Sequence, residues 1–171
     1  MWTATYQQDY IAAGMTAGER ASGTVWIGWP DRALFRSRGA GLRIMGLEGR
    51  HVRLLDFESH TCDDHVLTTE EWQRLPLATI LDPGSATSRF AVTLGGDHRL
   101  VLYPLHPGGI ARVEMTLAQD HLPSSVVIVD PQGAINRFWF HGWKKRPAPP
   151  PNGWLPSPPP GLVCTALSPS H

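Results

Sequence analysis

Apolar and polar residues alternate along most of this 171-residue chain, and a period of two commits it to strands with one dry face. Val113, Met115 and Leu117 alternate with Arg112, Glu114 and Thr116, and Phe90, Val92 and Leu94 repeat the pattern. Turn residues cut the runs apart. Gly95-Gly96-Asp97-His98 separates 90–94 from 100–103, and Gly49 separates 42–45 from 51–55. Asp130-Pro131-Gln132-Gly133 separates 126–129 from 135–140. Each is a hairpin signal. At the front, residues 2–10 and 24–29 read as strands joined by a flexible stretch over 14–22. The tally is about ten or eleven strands in mainly antiparallel order.

Only residues 69–81 read as helical. Thr69 is placed to cap Glu70-Glu71-Trp72-Gln73-Arg74, with both acids in the first turn where the helix dipole favours them. Pro76 opens a second short piece over 77–81, which Asp82-Pro83-Gly84 ends. So little helix leaves one economical way to cover a large dry face: a strongly curved sheet closed over by short helices. From Pro147 onward nine of 25 residues are proline, so this stretch is extended and turn-rich. Residues 1–167 form one domain, and 168–171 are expected to fray.

Composition narrows the function classes. Fifteen basic and 15 acidic side chains give a net charge of zero, which argues against a nucleic-acid binder and against polybasic attachment to anionic lipid. No apolar run approaches the ~18 residues of a membrane-spanning helix. The seven tryptophans include Trp26 and Trp29 near one strand end and Trp139 and Trp143 on another. They exceed what a core this small needs and suit the walls of an apolar pocket.

The chemical motifs are sparse. His60-Thr61-Cys62-Asp63-Asp64-His65 is the densest set of metal-ligand types, but residues 60, 62 and 65 do not share one strand face and no second such motif follows. Cys62 and Cys164 are compatible with one disulfide or with two free thiols. Gly-x-Ser-x-Gly is absent, and Gly39-Ala40-Gly41 and Gly108-Gly109 do not stand between a strand and a helix. No catalytic residue, metal site or cofactor is assigned from these patterns.

Six segments in order resemble the periplasmic outer-membrane lipoprotein carriers, the LolA/LolB-like family. Ser22-Gly23-Thr24-Val25-Trp26-Ile27-Gly28-Trp29-Pro30-Asp31-Arg32 is similar to the family's Gly-x-Leu/Ile-Trp-Val/Ile-x-Arg-Pro-x-Arg segment. Trp2-Thr3-Ala4-Thr5-Tyr6-Gln7-Gln8 resembles its first strand, and Leu42-Arg43-Ile44-Met45-Gly46-Leu47-Glu48-Gly49-Arg50-His51-Val52 the strand-turn-strand that follows. Leu75-Pro76-Leu77-Ala78-Thr79-Ile80-Leu81 is similar to its Pro-Leu-x-x-Leu-Leu helix. Asp130-Pro131-Gln132-Gly133-Ala134-Ile135 is similar to its late hairpin, and Trp154-Leu155 through Pro159-Pro160-Gly161 to its closing motif.

The resemblance implies an incomplete antiparallel barrel of about eleven strands with a helical lid. It implies a non-enzymatic, monomeric carrier of lipoprotein acyl chains or another lipid in the periplasm. An inner-membrane transporter as donor and an outer-membrane acceptor would be its partners. Alternation then nominates cavity residues: Trp2 and Tyr6 with Ala4; Val25, Ile27 and Trp29; Phe35 with Ala33; Val113, Met115 and Leu117; and Phe138 and Phe140. Leu77, Ile80 and Leu81 would line the lid. Two departures stand out. Trp29 occupies the place of a family arginine that holds the lid by hydrogen bonds, and an indole offers one donor and no charge, so this departure points to a lid switch that is altered or absent and opens the alternative of an apolar ligand other than a lipoprotein. The family's leading helix and signal peptide have no counterpart ahead of Trp2, which implies either a start assigned too late, the favoured reading, or a fragment. Two rivals are a small enzyme on the same fold, with His51, Glu114 or His141 pointing into the cavity, and an envelope sensor or assembly module.

Overall fold

Most alternating runs pair with their chain neighbours, so the sheet assembles as two antiparallel meanders joined side by side. A computed structural model describes residues 1–167, apart from the side chains of Gln73, Arg74, Pro76, Thr79, Ile80 and Pro83; the tail expected to fray, 168–171, lies outside the described residues. The strands are β1 (Trp2–Ile11), β2 (Glu19–Gly28), β3 (Arg32–Arg38), β4 (Leu42–Glu48), β5 (His51–Asp56), β6 (Thr61–Val66), β7 (Phe90–Gly95), β8 (Arg99–Pro104), β9 (Arg112–Leu117), β10 (Pro123–Val129), β11 (Ile135–Lys145) and the two-residue β12 (Thr165–Ala166). They form one sheet in the order β12-β6-β5-β4-β3-β2-β1-β11-β10-β9-β8-β7. Two meanders are joined where β1 pairs antiparallel with β11. β7 and β12 remain as edges, so the barrel is half open, the architecture the sequence implied.

The link from β6 to β7 has to travel from one side of this sheet to the other. It crosses the dry face as α1 (Thr69–Arg74), α2 (Pro76–Leu81), a 3-10 turn over Pro83–Ser85 and α3 (Ala86–Arg89). Ala78 and Leu81 on α2 are fully buried, and Leu81 joins Tyr6, Val25, Ile27, Val113 and Phe140 in one continuous core. The helices therefore plug the concave face. The first cap differs from expectation: Thr68, not Thr69, accepts from the Glu71 backbone N–H, and the Glu71 carboxylate accepts from the Thr68 N–H at 2.8 Å. This capping box satisfies two orphan donors at once. β2 also begins earlier than expected, at Glu19, because its pairing with β1 runs out to Tyr10 opposite Glu19.

The proline-rich segment packs as a strap across the outer face of β2–β6. Trp154 is 5% exposed and lies over Gly28 and Gly46, where added Cβ atoms would strike its ring and its carbonyl oxygen respectively. Pro156 is buried beside it, and its carbonyl accepts from Arg53 at 3.3 Å. A disulfide joins Cys62 to Cys164, and β12 then runs parallel to β6, with Thr165 opposite Asp63. The choice the sequence left open is settled in favour of pairing: folding brings two residues 102 positions apart to a Cα–Cα distance of 4.4 Å.

Candidate functional site

The concave face is a ladder of aromatic rings built by alternation on β3, β1 and β11. Tyr6 meets Phe35 edge-on at 5.6 Å between centroids and lies 6.1 Å from Phe138 and 6.3 Å from Phe140. Phe138 and Phe140 stack, and Phe140 lies 5.5 Å from Trp143. Such offset and edge-to-face pairs each contribute about 0.5–1.5 kcal/mol beyond area burial. Trp143 reaches this face through a local irregularity. Between the pairs Thr5–His141 and Thr3–Lys144, β11 carries one more residue than β1, and Gly142 there has φ +66°, a conformation glycine adopts without cost. The bulge turns Trp143 inward, where its Nε1–H donates to the Pro123 carbonyl at 2.8 Å. Trp139, of the same parity, stays on the outer face.

The nominated residues are placed as follows. Tyr6, Val25, Ile27, Val113, Met115 and Phe140 are buried in the main core, and Phe35, Leu117 and Phe138 are half-buried against it. Trp2 is half-buried and lies edge-on to Trp29 at 6.4 Å. Trp29 is 38% exposed, follows the end of β2 and precedes Pro30 through a cis peptide bond. On the lid, Leu81 is buried and Leu77 packs against the core, while the Ile80 side chain lies outside the described residues.

Toward the hairpin ends the groove turns polar and opens. A hollow of about 560 Å³ is bounded by Gln8, Tyr10, Glu19, Ser37 and Arg43 from β1–β4, with Gly39, Ala40 and Gly41 at its rim. Its volume falls within the roughly 300–1,000 Å³ of small-molecule sites. Gln8 donates to Asn136 Oδ1 at 2.9 Å, and Arg43 pairs with Asp56 at 2.7 Å; the Ser59 backbone N–H above all, then Arg43 and the Glu58 N–H, hold that carboxyl below the usual carboxylate range. Burial pushes the Tyr6 phenol above its ordinary value, partly opposed by a hydrogen bond with Ser37. Tyr6 therefore sits at the boundary, with its ring among the phenylalanines and its hydroxyl at the polar end.

The lid is held at two points. Arg89 on α3 donates to Ser85 Oγ at 3.0 Å and to the Ala78 and Ser85 carbonyls at 3.3 and 3.4 Å, satisfying acceptors that short helices leave exposed. Desolvation lowers its pKa, and its guanidinium lies 5.7 Å from the Phe90 ring centroid. The second point is His65 on β6, with Nε2 3.0 Å from the Glu71 carboxylate of α1 and Nδ1 3.3 Å from the Leu167 carbonyl. The Glu71 hydrogen bond raises the His65 pKa; the Thr68 backbone and His65 lower that of Glu71. Sequence reading missed both anchors, although the Thr68-x-x-Glu71 spacing was a visible signal for the second.

Of the other motifs, the 60–65 cluster is dispersed: Cys62 is in the disulfide, and Asp64 binds His51 and Arg53 on the outer face. Among the described residues no group of three or more His, Cys, Asp or Glu is arranged to hold a metal, and no helix is long and apolar enough to cross a membrane. His51, Glu114 and His141 all lie on outer-face strand positions, paired opposite Glu48, Val101 and Thr5.

No protein-family model matches the chain, and no curated protein is similar to it in sequence. The chain shares its fold with an uncharacterized conserved protein from Thermus thermophilus, at TM-score 0.51 and 12% identity over 97% of this chain and 90% of that one. A LolA superfamily protein, NE2245 from Nitrosomonas europaea, is also similar, at TM-score 0.46 and 11% identity over 86% and 87%. So is a chain of the MucA/MucB complex of Pseudomonas aeruginosa, at TM-score 0.43 and 14% identity over 88% of this chain. The present chain spans 54% of that chain's length.

Proposed function

We propose that this protein is a non-enzymatic carrier that takes the acyl chains of a lipoprotein, or another lipid-like ligand, onto the concave face of its half-barrel. One observation carries the reading: a continuous aromatic wall, Phe35 through Trp143, is covered by helices of six residues or fewer and ends in a hollow with polar walls. In this closed form α2 occupies the groove. A ligand enters from the polar end and displaces Leu81 and its neighbours, exchanging their contacts for its own at about 0.8 kcal/mol per buried methylene. The outer-face positions of His51, Glu114 and His141 favour carriage over the enzymatic alternative, since none of them can meet a substrate in the groove. The disulfide favours an oxidising compartment, in keeping with a periplasmic protein that exchanges cargo between a donor and an acceptor.

Delipidated protein should take up a fluorescent fatty acid, and Phe138→Glu should reduce uptake at least tenfold by placing a charge on the wall. Equal uptake by this variant, or none by the parent protein, overturns the reading.

A further inference from the structure

The outer face of the central strands tells a second story, one of charge. Overall neutrality hides a segregation created by pairing. Outer positions of β3, β2, β1 and β11 bring Arg36, Arg38, Arg20, Arg137 and Lys144 onto one surface with Asp9 as the carboxylate among them. Arg38 is opposite Ser22, which is opposite Gln7, which is opposite Trp139; Arg20 and Arg137 flank Asp9 from either side. Asp9 engages Arg20 at 3.5 Å, and the remaining four cations have no ion pair among the described residues. Further along the face Arg99 and Arg112 share Glu114, at 2.7 and 3.3 Å. The strap covers the other half of this face, where Arg32 and Arg53 are matched by Glu48 and Asp64.

We propose that this uncovered face docks on a membrane surface carrying anionic phospholipid headgroups. The cations span three inter-strand steps and several residue pairs along the strands, an area of about 14 by 20 Å, which matches a planar array of phosphates rather than a single linear polyanion. Between them Gln7, Asp9, Arg20, Arg38, Trp139 and His141 bound a hollow of about 610 Å³, wide enough for a headgroup. Trp139 gives it an indole, a side chain that prefers the membrane–water interface. Each cation near an anionic surface strengthens binding by about fivefold. The inference rests on charge placement and is independent of what the concave face carries.

The test is co-sedimentation of the full chain with vesicles of phosphatidylcholine alone and of phosphatidylcholine with phosphatidylglycerol in equal parts. Binding to the anionic vesicles only, abolished by molar salt as the Debye length falls to about 3 Å, is expected. Arg36→Gln with Arg38→Gln should weaken it about 25-fold, fivefold for each cation withdrawn, with fatty-acid uptake unchanged. Arg137→Gln with Lys144→Gln provides an independent pair with the same expectation. Phe138→Glu should keep vesicle binding, so failure of the carrier reading leaves this one standing. Equal binding to both vesicle types, retention of binding by both double variants, or tighter binding to soluble poly-glutamate than to anionic vesicles overturns the proposal.

Discussion

Gly46 offers a test in which two physical effects predict opposite signs. It lies inside β4, and judged by strand propensity alone Gly46→Ala should stabilise the protein by roughly 0.5–1 kcal/mol, because glycine loses the most backbone freedom on folding. The strap reverses this. An added Cβ meets the Trp154 carbonyl oxygen, the Pro156 Cδ at 2.5 Å and the Leu155 Cα at 3.2 Å. Two of these three are backbone atoms, so no rotamer change relieves the clash and the strap itself must shift. Trp154 is the largest residue buried there, and emptying such a site costs about 3–5 kcal/mol. The disulfide at Cys164 keeps the strap from leaving altogether, which places the expected loss at about 2–4 kcal/mol after the propensity gain is subtracted. Urea unfolding of Gly46→Ala, Trp154→Ala and the double variant gives a cycle, in which the second substitution should cost far less once the first has loosened the strap. A raised urea midpoint for Gly46→Ala, or strict additivity in the cycle, refutes the reasoning.

Two further outcomes follow from the anchors. Replacing Cys62 and Cys164 by serine opens a loop closed over 102 residues and should lower stability by up to about 4.7 kcal/mol in denaturant unfolding; a loss below about 1 kcal/mol would show that the strap is held by packing alone. The His65–Glu71 contact should make α1 sensitive to pH. His65 has a folded pKa above its ordinary 6.5, so its contribution is complete below that value and is lost as pH rises through the folded one. Glu71 is shifted below 4.5, so its contribution is present above that value and is lost as pH falls through the folded one. The protection of the α1 amides, that is, exchange corrected for its intrinsic pH dependence, should be greatest between about pH 4.5 and 6.5 and fall on either side, and His65→Ala should remove the alkaline limb.

Much of the candidate site was legible because alternation is a local property. Tyr6, Val25, Ile27, Val113, Met115 and Phe140 could be assigned to a dry face from their neighbours, and the structure buries all six. Trp139 and Trp143 mark the limit of that logic. Their spacing predicts a shared face, but one extra residue at Gly142 sends them to opposite sides, and nothing in a strand's own pattern announces where its partner will be a residue short. Trp29 shows the same limit, since a residue past the strand end is no longer governed by the pleat.

Thus the hairpins, the order of strands within each meander and the polarity of each face belong to the sequence, through contacts between residues near one another in the chain, whereas the β1–β11 junction that makes one sheet of them joins residues more than 120 positions apart. The disulfide, the strap over Gly28 and Gly46, the lid anchors and the cationic outer face belong to the tertiary structure. They depend on which distant segments come together, and neither composition nor period carries that information. Net charge makes the distinction plainest: the composition sets it at zero, while strand pairing alone gathers Arg20, Arg36, Arg38, Arg137 and Lys144 onto one surface.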